Sequence, residues 1–458
     1  MNIRPDLTPA ALAPRARRLF ELSAAKIDSL EKSWKTSEGS PVFTVAGKYT
    51  SRGWTEWTQG FQFGSAILQF DATGERRFLE AGRKHTVELM AKHVSHIGVH
   101  DHGFNNVSTY GNLLRLWHEG KTDRHEGDRH FYELALKCSA AVQAARWSRI
   151  SNGGGYIYSF NGPQSLFVDT IRSLRALAVG HQLGHALMGE NDKEISLLER
   201  LIEHGKSTAR YSVFYGEGRD IYDQRGRVVH ECLFNPNDGN YRCPSTQQGY
   251  SPFSTWTRGL AWAICGFAEQ LEWFATLDNK QFETFGGAAE VKAIFQRAAE
   301  AASDFYIEQG TAADGIPYWD TGAPGLEQMK DWRSKASDPY NAYEPVDSSA
   351  AAIAAQGLLR LGRFLKKDRY WQAGLTVAAT IFDEPYLSTD ANHQGLILHS
   401  VYHRPNGWDY IPPGKTIPCG EASMWGDYHA RELALYLLRL ETEAPYLTFW
   451  SDSNHDNR

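Results

Sequence analysis

Residues 347–382 read DSSAAAIAAQGLLRLGRFLKKDRYWQAGLTVAATIF, and the fold follows from their spacing. Apolar positions recur at i, i+3, i+4 and i+7 through 347–365 and again through 368–382. That is the period of an amphipathic helix, not the period of two of a half-buried strand. Ala350 to Ala355 give the first helix a small-residue face that a neighbouring helix can approach closely. The join between the two is short, so the pair predicts a helical hairpin.

The same periodicity predicts helices over 8–33, 57–72, 75–97, 105–120, 129–148, 165–188, 192–209, 255–277, 288–308 and 423–440. Leu166, Ile171, Leu174 and Leu177 mark the apolar face of one, and Leu433, Leu435 and Leu438 that of another. Strand-like alternation is scarce. It predicts one hairpin near 211–230, with Tyr211, Val213 and Tyr215 facing Val228 and Val229 across a turn at Gly226. Twelve helices make six hairpins, and a closed toroid of six buries an inner helix ring against an outer one. No Pro/Ser-rich, charge-block or low-complexity segment marks a linker. The expectation is an all-α chain with one domain over 1–450 and a polar tail at 451–458.

Composition bounds the function. Among 458 residues, 42% are hydrophobic and 22% charged, which excludes wholesale disorder. The formal charge of −6 argues against a nucleic-acid face, yet a few placed Arg or His residues suffice for a small anionic ligand. The cysteines (Cys138, Cys232, Cys243, Cys265, Cys419) are few and odd in number, which fits a reducing compartment better than a disulfide framework. The first 26 residues lack the apolar core of a signal peptide, and no run approaches the ~18 apolar residues of a membrane span. The sequence therefore predicts a cytoplasmic protein with no membrane or nucleic-acid partner, a monomer or weak homodimer.

Chemistry is expected in the loops at 151–163, 233–253, 309–346 and 403–420, on one face of a rigid barrel. Trp54, Trp57, Tyr156, Tyr158, Trp256, Trp262, Trp319 and Trp408 lie in or beside them. Aromatic faces beside carboxylates suit sugar rings, although most single aromatics are core. Two carboxylates stand out. Asp101, in His100-Asp101-His102-Gly103-Phe104, precedes a predicted helix; it is either a cap or an acid/base group. Asp169 follows Leu166-Phe167-Val168, and an apolar pocket there would keep it protonated as a general acid. They fall on successive hairpins, so both can reach one mouth of the toroid. Arg258 and Trp262 share a helix face at i, i+4, and an Arg fork beside an indole suits a sugar carboxylate. The histidines at 93, 96, 100 and 102 have no standard metal spacing, so no metal is expected.

Seven segments in order resemble the unsaturated glucuronyl hydrolases, glycoside hydrolase family 88. They are Glu56-Trp57-Thr58-Gln59-Gly60-Phe61, His100 to Phe104 with Tyr110-Gly111-Asn112, and the segment around Asp169. Next come Gln248-Gly249-Tyr250 through Trp256-x-Arg258-Gly259-x-Ala261-Trp262, and Asp314 to Asp320. Asp347 to Ala354 and Trp425-Gly426-Asp427-Tyr428 complete the set. The resemblance implies an (α/α)6 barrel that removes a Δ4,5-unsaturated uronic acid from lyase-generated oligosaccharides. The implied reaction is hydration: a proton to C4, water to C5, then opening of the hemiketal. It implies Asp169 as the acid with Asp101 as its partner, and no cofactor. His230 and Gln248 are implied to face the sugar, Arg258 and Trp262 to hold its carboxylate and ring, and Trp57 to stack. A Ser-x-x-Ser-x-Lys loop in members acting on sulfated glycosaminoglycans falls here at His403-Arg404-Pro405-Asn406-Gly407-Trp408. His403 and Asn406 become the candidate contacts, with Arg404 or Lys415 available to compensate for the lost lysine. Gln62 stands where the family often has Trp.

Three other readings compete. An unsaturated rhamnogalacturonyl hydrolase shares the barrel and chemistry. A sugar epimerase or isomerase would want paired histidines, for which His181 and His185 are spaced i, i+4. A carbohydrate-binding toroid would need no ionisable aspartate.

Overall fold

The computed structural model describes residues 1–52 and 56–444. Trp54 and the tail at 451–458 lie outside the described residues. Twelve helical runs carry the fold. In chain order they begin with α1 (Pro9–Ser33), α2 (Gln59–Thr73) and α3 (Arg76–Leu89). Run α4 (102–118) joins His102–Asn105, a π-helical turn Val107–Gly111 and Asn112–His118; α5 (Glu126–Ala145) follows. Run α6 (170–182) joins Thr170–Ser173 and Arg175–Gln182, and precedes α7 (Leu197–Tyr211). The rest are α8 (Thr257–Phe274), α9 (Ala288–Phe305), α10 (Ser348–Leu365), α11 (Asp368–Ile381) and α12 (Met424–Glu441).

Burial sorts them into two rings. Every residue of α10 from Ser348 to Gly362 is buried, whereas α3 buries only Phe78, Leu79, Gly82 and Thr86 along one stripe. The even-numbered helices form the inner ring, each packing on the next, and α12 closes on α2. The odd-numbered helices form the outer ring. This is an (α/α)6 barrel. Small residues set the spacing: a Cβ on Gly357 of α10 would lie 2.6 Å from the Cys265 nitrogen of α8. Below the mouth, the barrel axis is charged. Buried Arg172 pairs with Glu269 (2.9 Å) and Glu432 (3.1 Å), so neither sign is left alone in a medium where an unpaired charge costs several kcal/mol.

Besides short strand pairs that were not predicted, Phe43–Val45 with Lys48–Thr50 and Trp147–Arg149 with Gly155–Ile157, the structure departs from the predicted elements in three segments. The helix expected over 165–188 is helical only over 170–182. Ser165–Phe167 is a strand paired with Glu231–Phe234, and Ala186–Met188 pairs with Glu194–Ser196. Leu166 therefore joins a second apolar cluster with Tyr156, Phe214, Val229 and Phe234 instead of a helix face. The segment 75–97 breaks at Leu89, and a one-turn helix Ala91–Val94 follows. The hairpin near 211–230 shrinks to a single bridge, Val213 to Val228, because Tyr211 ends α7. Cys232 and Cys243 lie on paired strands and are unbridged.

Candidate active site

The site lies where the N-termini of the inner helices converge. Asp101 immediately precedes α4 and Asp169 immediately precedes α6. Arg258 and Trp262 sit in the first two turns of α8, and Trp57 lies two residues before α2. These residues line one cleft of about 680 Å³, together with His100 and Gln248. Helix N-termini present unpaired N–H groups and a positive dipole end, so the cleft favours an anionic ligand. Neither Asp101 nor Asp169 spends its carboxylate on capping its helix. Asp347 does: its carboxylate accepts from the Ser349 and Ala350 amides and opens α10. Asp101 and Asp169 are therefore not cap side chains, whereas Asp347 is.

One imidazole joins the two carboxylates. His100 Nε2 lies 3.7 Å from Asp101 Oδ1 and 3.6 Å from Asp169 Oδ1. All three are inside: His100 is 1% exposed, Asp101 7% and Asp169 8%. Burial raises the Asp101 pKa, and the Asp169 charge adds to the rise. Burial also pushes Asp169 up, but the His100 contact and charge outweigh it and hold Asp169 below the usual carboxylate value. Burial opposes charge on His100, yet the two carboxylates prevail and raise it. This inverts the expected order: Asp169, expected as the protonated member, is the more acidic of the two, because His100 sits against it.

Two neutral donors are oriented by partners behind them. His230 Nδ1 accepts from the amides of Gln247 (3.0 Å) and Gln248 (3.4 Å), so its proton is on Nε2, which is buried with no partner among the described residues. Burial lowers its pKa to about 3, keeping the ring neutral. Val168 donates its amide to the His230 carbonyl, setting His230 one strand across from Asp169. Gln248 receives Arg258 Nη2 on its side-chain oxygen at 2.8 Å. An arginine only donates, so the Gln248 NH2 is left to donate into the cleft.

Arg258 differs from its expected role. Nη1 bonds Asp347 (3.2 Å) and the Val401 carbonyl; Nη2 bonds Gln248 and the Tyr402 carbonyl (2.8 Å). The guanidinium is 1% exposed and lies over Trp256 and Trp425, with Cζ 4.6 and 4.8 Å from their ring centres. Its terminal donors are spent on protein, so no open fork awaits a carboxylate. Arg258 supplies charge and aims Gln248.

The remaining expectations divide. Trp57 lines the cleft and stacks on Trp425 (5.0 Å, 27°). Trp262 also lines it, braced by Phe104 at 4.8 Å. His403 lines the wall, but Asn406 is exposed and donates its amide to His403 Nδ1 at 3.3 Å, so it braces that ring rather than facing the cleft. Phe160, Tyr402 and Trp408 complete the rim. Phe160 and Tyr402 carried no motif; His100 was legible only as the neighbour of Asp101. His181 lies near the far end of α6, and His185 falls beyond that helix, so they form no catalytic pair at the mouth. Among the described residues, no group of three or more metal-ligating side chains gathers. A second cavity, of about 450 Å³, between α1, α2, α3 and α12 is mostly apolar, with Ile27, Leu30, Phe63 and Met424 in its wall, and several of its polar groups are engaged with one another or with neighbours. Tyr49 donates to Asp427, Arg431 to Ser65, and Lys26 to Ser388.

No protein-family model matches the chain. Curated relatives do. The unsaturated glucuronyl hydrolase of Bacillus sp. (strain GL1) is 27% identical over 414 residues, covering 86% of this chain and 89% of that protein. The enzyme of the same name from Formosa agariphila is 23% identical over 383 residues, covering 82% and 78%. The crystal structure of unsaturated glucuronyl hydrolase from Bacillus sp. GL1 superposes with a TM-score of 0.69 at 22% identity, covering 94% of this chain and 97% of that one. Likeness at that identity establishes the barrel, and in sequence the chain is similar to unsaturated glucuronyl hydrolases over more than four fifths of its length.

Proposed function

We propose that the protein is itself such a hydrolase, removing a Δ4,5-unsaturated uronic acid from the non-reducing end of a short oligosaccharide. The observation that carries this is the pair of uncapped, buried aspartates set against one imidazole in an anion-favouring cleft. The substrate ring holds an enol ether conjugated to a carboxylate. Asp169, protonated once the substrate's own charge and the exclusion of water raise its pKa, gives its proton to C4. Positive charge develops at C5 and is shared with the ring oxygen. Water bonds to C5 and returns a proton to Asp169, leaving a hemiketal. The hemiketal opens to a ketone, and the anomeric carbon, now a hemiacetal, releases the remaining sugar. In this reading the neutral donors of Gln248 and His230 bind the uronate, with Trp57 and Trp262 against its ring; Gln248, Trp57 and Trp262 line the cleft, and His230 is joined to its wall through the Gln247 amide.

The neighbouring sugar meets Phe160, His403 and Trp408, without the Ser-x-x-Ser-x-Lys loop. This favours an unsulfated sugar at that position. Five unbridged cysteines accord with a cytoplasmic enzyme acting on imported fragments, as a monomer or weak homodimer. Among the described residues, no helix is long and apolar enough to cross a membrane. The test is a panel of lyase products from glucuronan, hyaluronan, sulfated and unsulfated chondroitin, gellan, xanthan and pectin. Loss of the ultraviolet absorbance of the unsaturated ring on an unsulfated member supports the reading. Silence on all members refutes it, and turnover of pectin fragments alone reassigns the enzyme to the rhamnogalacturonyl class.

A further inference from the structure

His100 belongs to no step above, yet it is the most constrained group in the cleft. Its carbonyl accepts from Ser173 Oγ (2.6 Å) and Gln143 Nε2 (2.8 Å), which fixes the backbone. Phe160 stacks on its ring (6.3 Å, 16°) and Phe167 meets it edge-on (5.6 Å, 81°), which fixes the plane. Among the described residues, neither ring nitrogen has a hydrogen-bond partner within ordinary reach, nor does Asp169 Oδ1, although all are buried. The other buried histidines nearby are committed. His102 binds Ser139 and the His96 carbonyl, His204 accepts from the Ile157 amide, and His230 accepts from Gln247. Each of those three is pushed by burial to about 3 and stays neutral. The charged and titratable groups acting on His100 are Asp101, Asp169 and Arg146, with neutral His102, His204 and His230 around them. Arg146 opposes its protonation but is turned to the carbonyls of Tyr158 and Ser159, leaving the two carboxylates in control.

We infer that His100 is the reservoir from which Asp169 receives its catalytic proton, making the reacting unit a triad of Asp101, His100 and Asp169. This rests on the hydration chemistry proposed above. Before substrate binds, the proton is on His100 Nε2, its charge balanced by the two carboxylates. When the uronate enters and water leaves, an ion pair is disfavoured relative to a neutral pair. The Nε2–H bond breaks, an O–H bond forms at Asp169 Oδ1, and the imidazole becomes neutral. Asp169 then delivers that proton to C4, regains one from the attacking water, and returns it to Nε2 as product departs. The cycle consumes one water and leaves the triad unchanged. His100 is therefore a positioning residue for the proton, acting through Asp169.

The test is the pH profile of kcat/KM for wild type and His100→Gln. In wild type, the falling alkaline limb reports loss of the His100 proton and lies above the ordinary imidazole value of 6.5. In His100→Gln the proton must reside on a carboxylate, so that limb moves down by at least about one pH unit, a tenfold loss at neutral pH that is regained in acid. A profile lowered by one factor at every pH, with the limb in place, overturns the inference. Where the variant fails to fold, an NMR titration of the His100 imidazole in the full chain decides. The midpoint should fall by about one unit in Asp169→Asn, since one of its two carboxylates is gone. An unmoved midpoint overturns the inference. The NMR titration uses no substrate, so a wild-type protein inert on every disaccharide would defeat the proposed function separately.

Discussion

Gly103→Ala should separate the two catalytic helices without touching a catalytic group. A Cβ at Gly103 would sit 2.1 Å from the Ser173 carbonyl oxygen and 2.7 Å from its carbon. Both are backbone atoms, so no flexible side chain can yield. Restoring ordinary contact requires α4 and α6 to part by about 1.3 Å. The same step disrupts the Gly103 amide bond to Ser173 Oγ (3.0 Å), the hydroxyl that also holds the His100 carbonyl. The gap from His100 to Asp169 widens accordingly, since His100 precedes α4 and Asp169 precedes α6. A misplacement of about 1 Å at reacting groups costs on the order of 100-fold in rate. Overpacking of a buried contact costs about 1–3 kcal/mol of stability. The assay is the initial rate of absorbance loss on an unsaturated uronyl disaccharide, beside a thermal melt of the same preparation. A folded variant with kcat down by about two decades is the expected result. Wild-type kcat together with wild-type Tm would refute the claim that this contact sets the spacing of the triad.

Asp347→Ala should destabilise the protein by about 3–5 kcal/mol in urea unfolding, because it strips a helix cap and leaves the buried Arg258 charge without its 3.2 Å carboxylate. Gln248→Ala and Arg258→Lys should each raise KM by roughly tenfold. The double variant should fall well short of their product, since the arginine works partly by aiming the glutamine. His102, His204, His230 and His429 are all held near pKa 3 by burial, below the unfolded value of 6.5. The unfolded chain therefore binds more protons below pH 6.5, and stability falls as pH drops through that range. A urea midpoint at pH 5 equal to that at pH 7 would contradict this.

The barrel was legible because its helices follow one simple period and are joined without linkers. All twelve are found, two of them shorter than expected; Asp101 stands at a helix start as its context suggested, whereas Asp169, expected inside a helix, precedes one. The misread segment, 165–188, shows what periodicity omits. Ser165–Phe167 is apolar enough for either structure, and its strand partner lies more than 60 residues away at Glu231–Phe234. Arg258 was misassigned for a similar reason. Its partners Asp347, Val401 and Tyr402 come from other hairpins, so nothing near it in sequence shows that its donors are already taken. His100 was visible beside Asp101, but its place between two carboxylates depends on α4 and α6 meeting at Gly103 and Ser173. A glycine in a motif does not disclose which backbone it admits.

The most direct measurement follows the reaction in deuterated water by NMR at early times. If Asp169 protonates the vinylic carbon, the first product carries one deuterium at C4, and release of the second sugar keeps pace with loss of the double bond. Release of an intact unsaturated uronic acid, with C4 unlabelled, would place the chemistry at C1 and contradict the account.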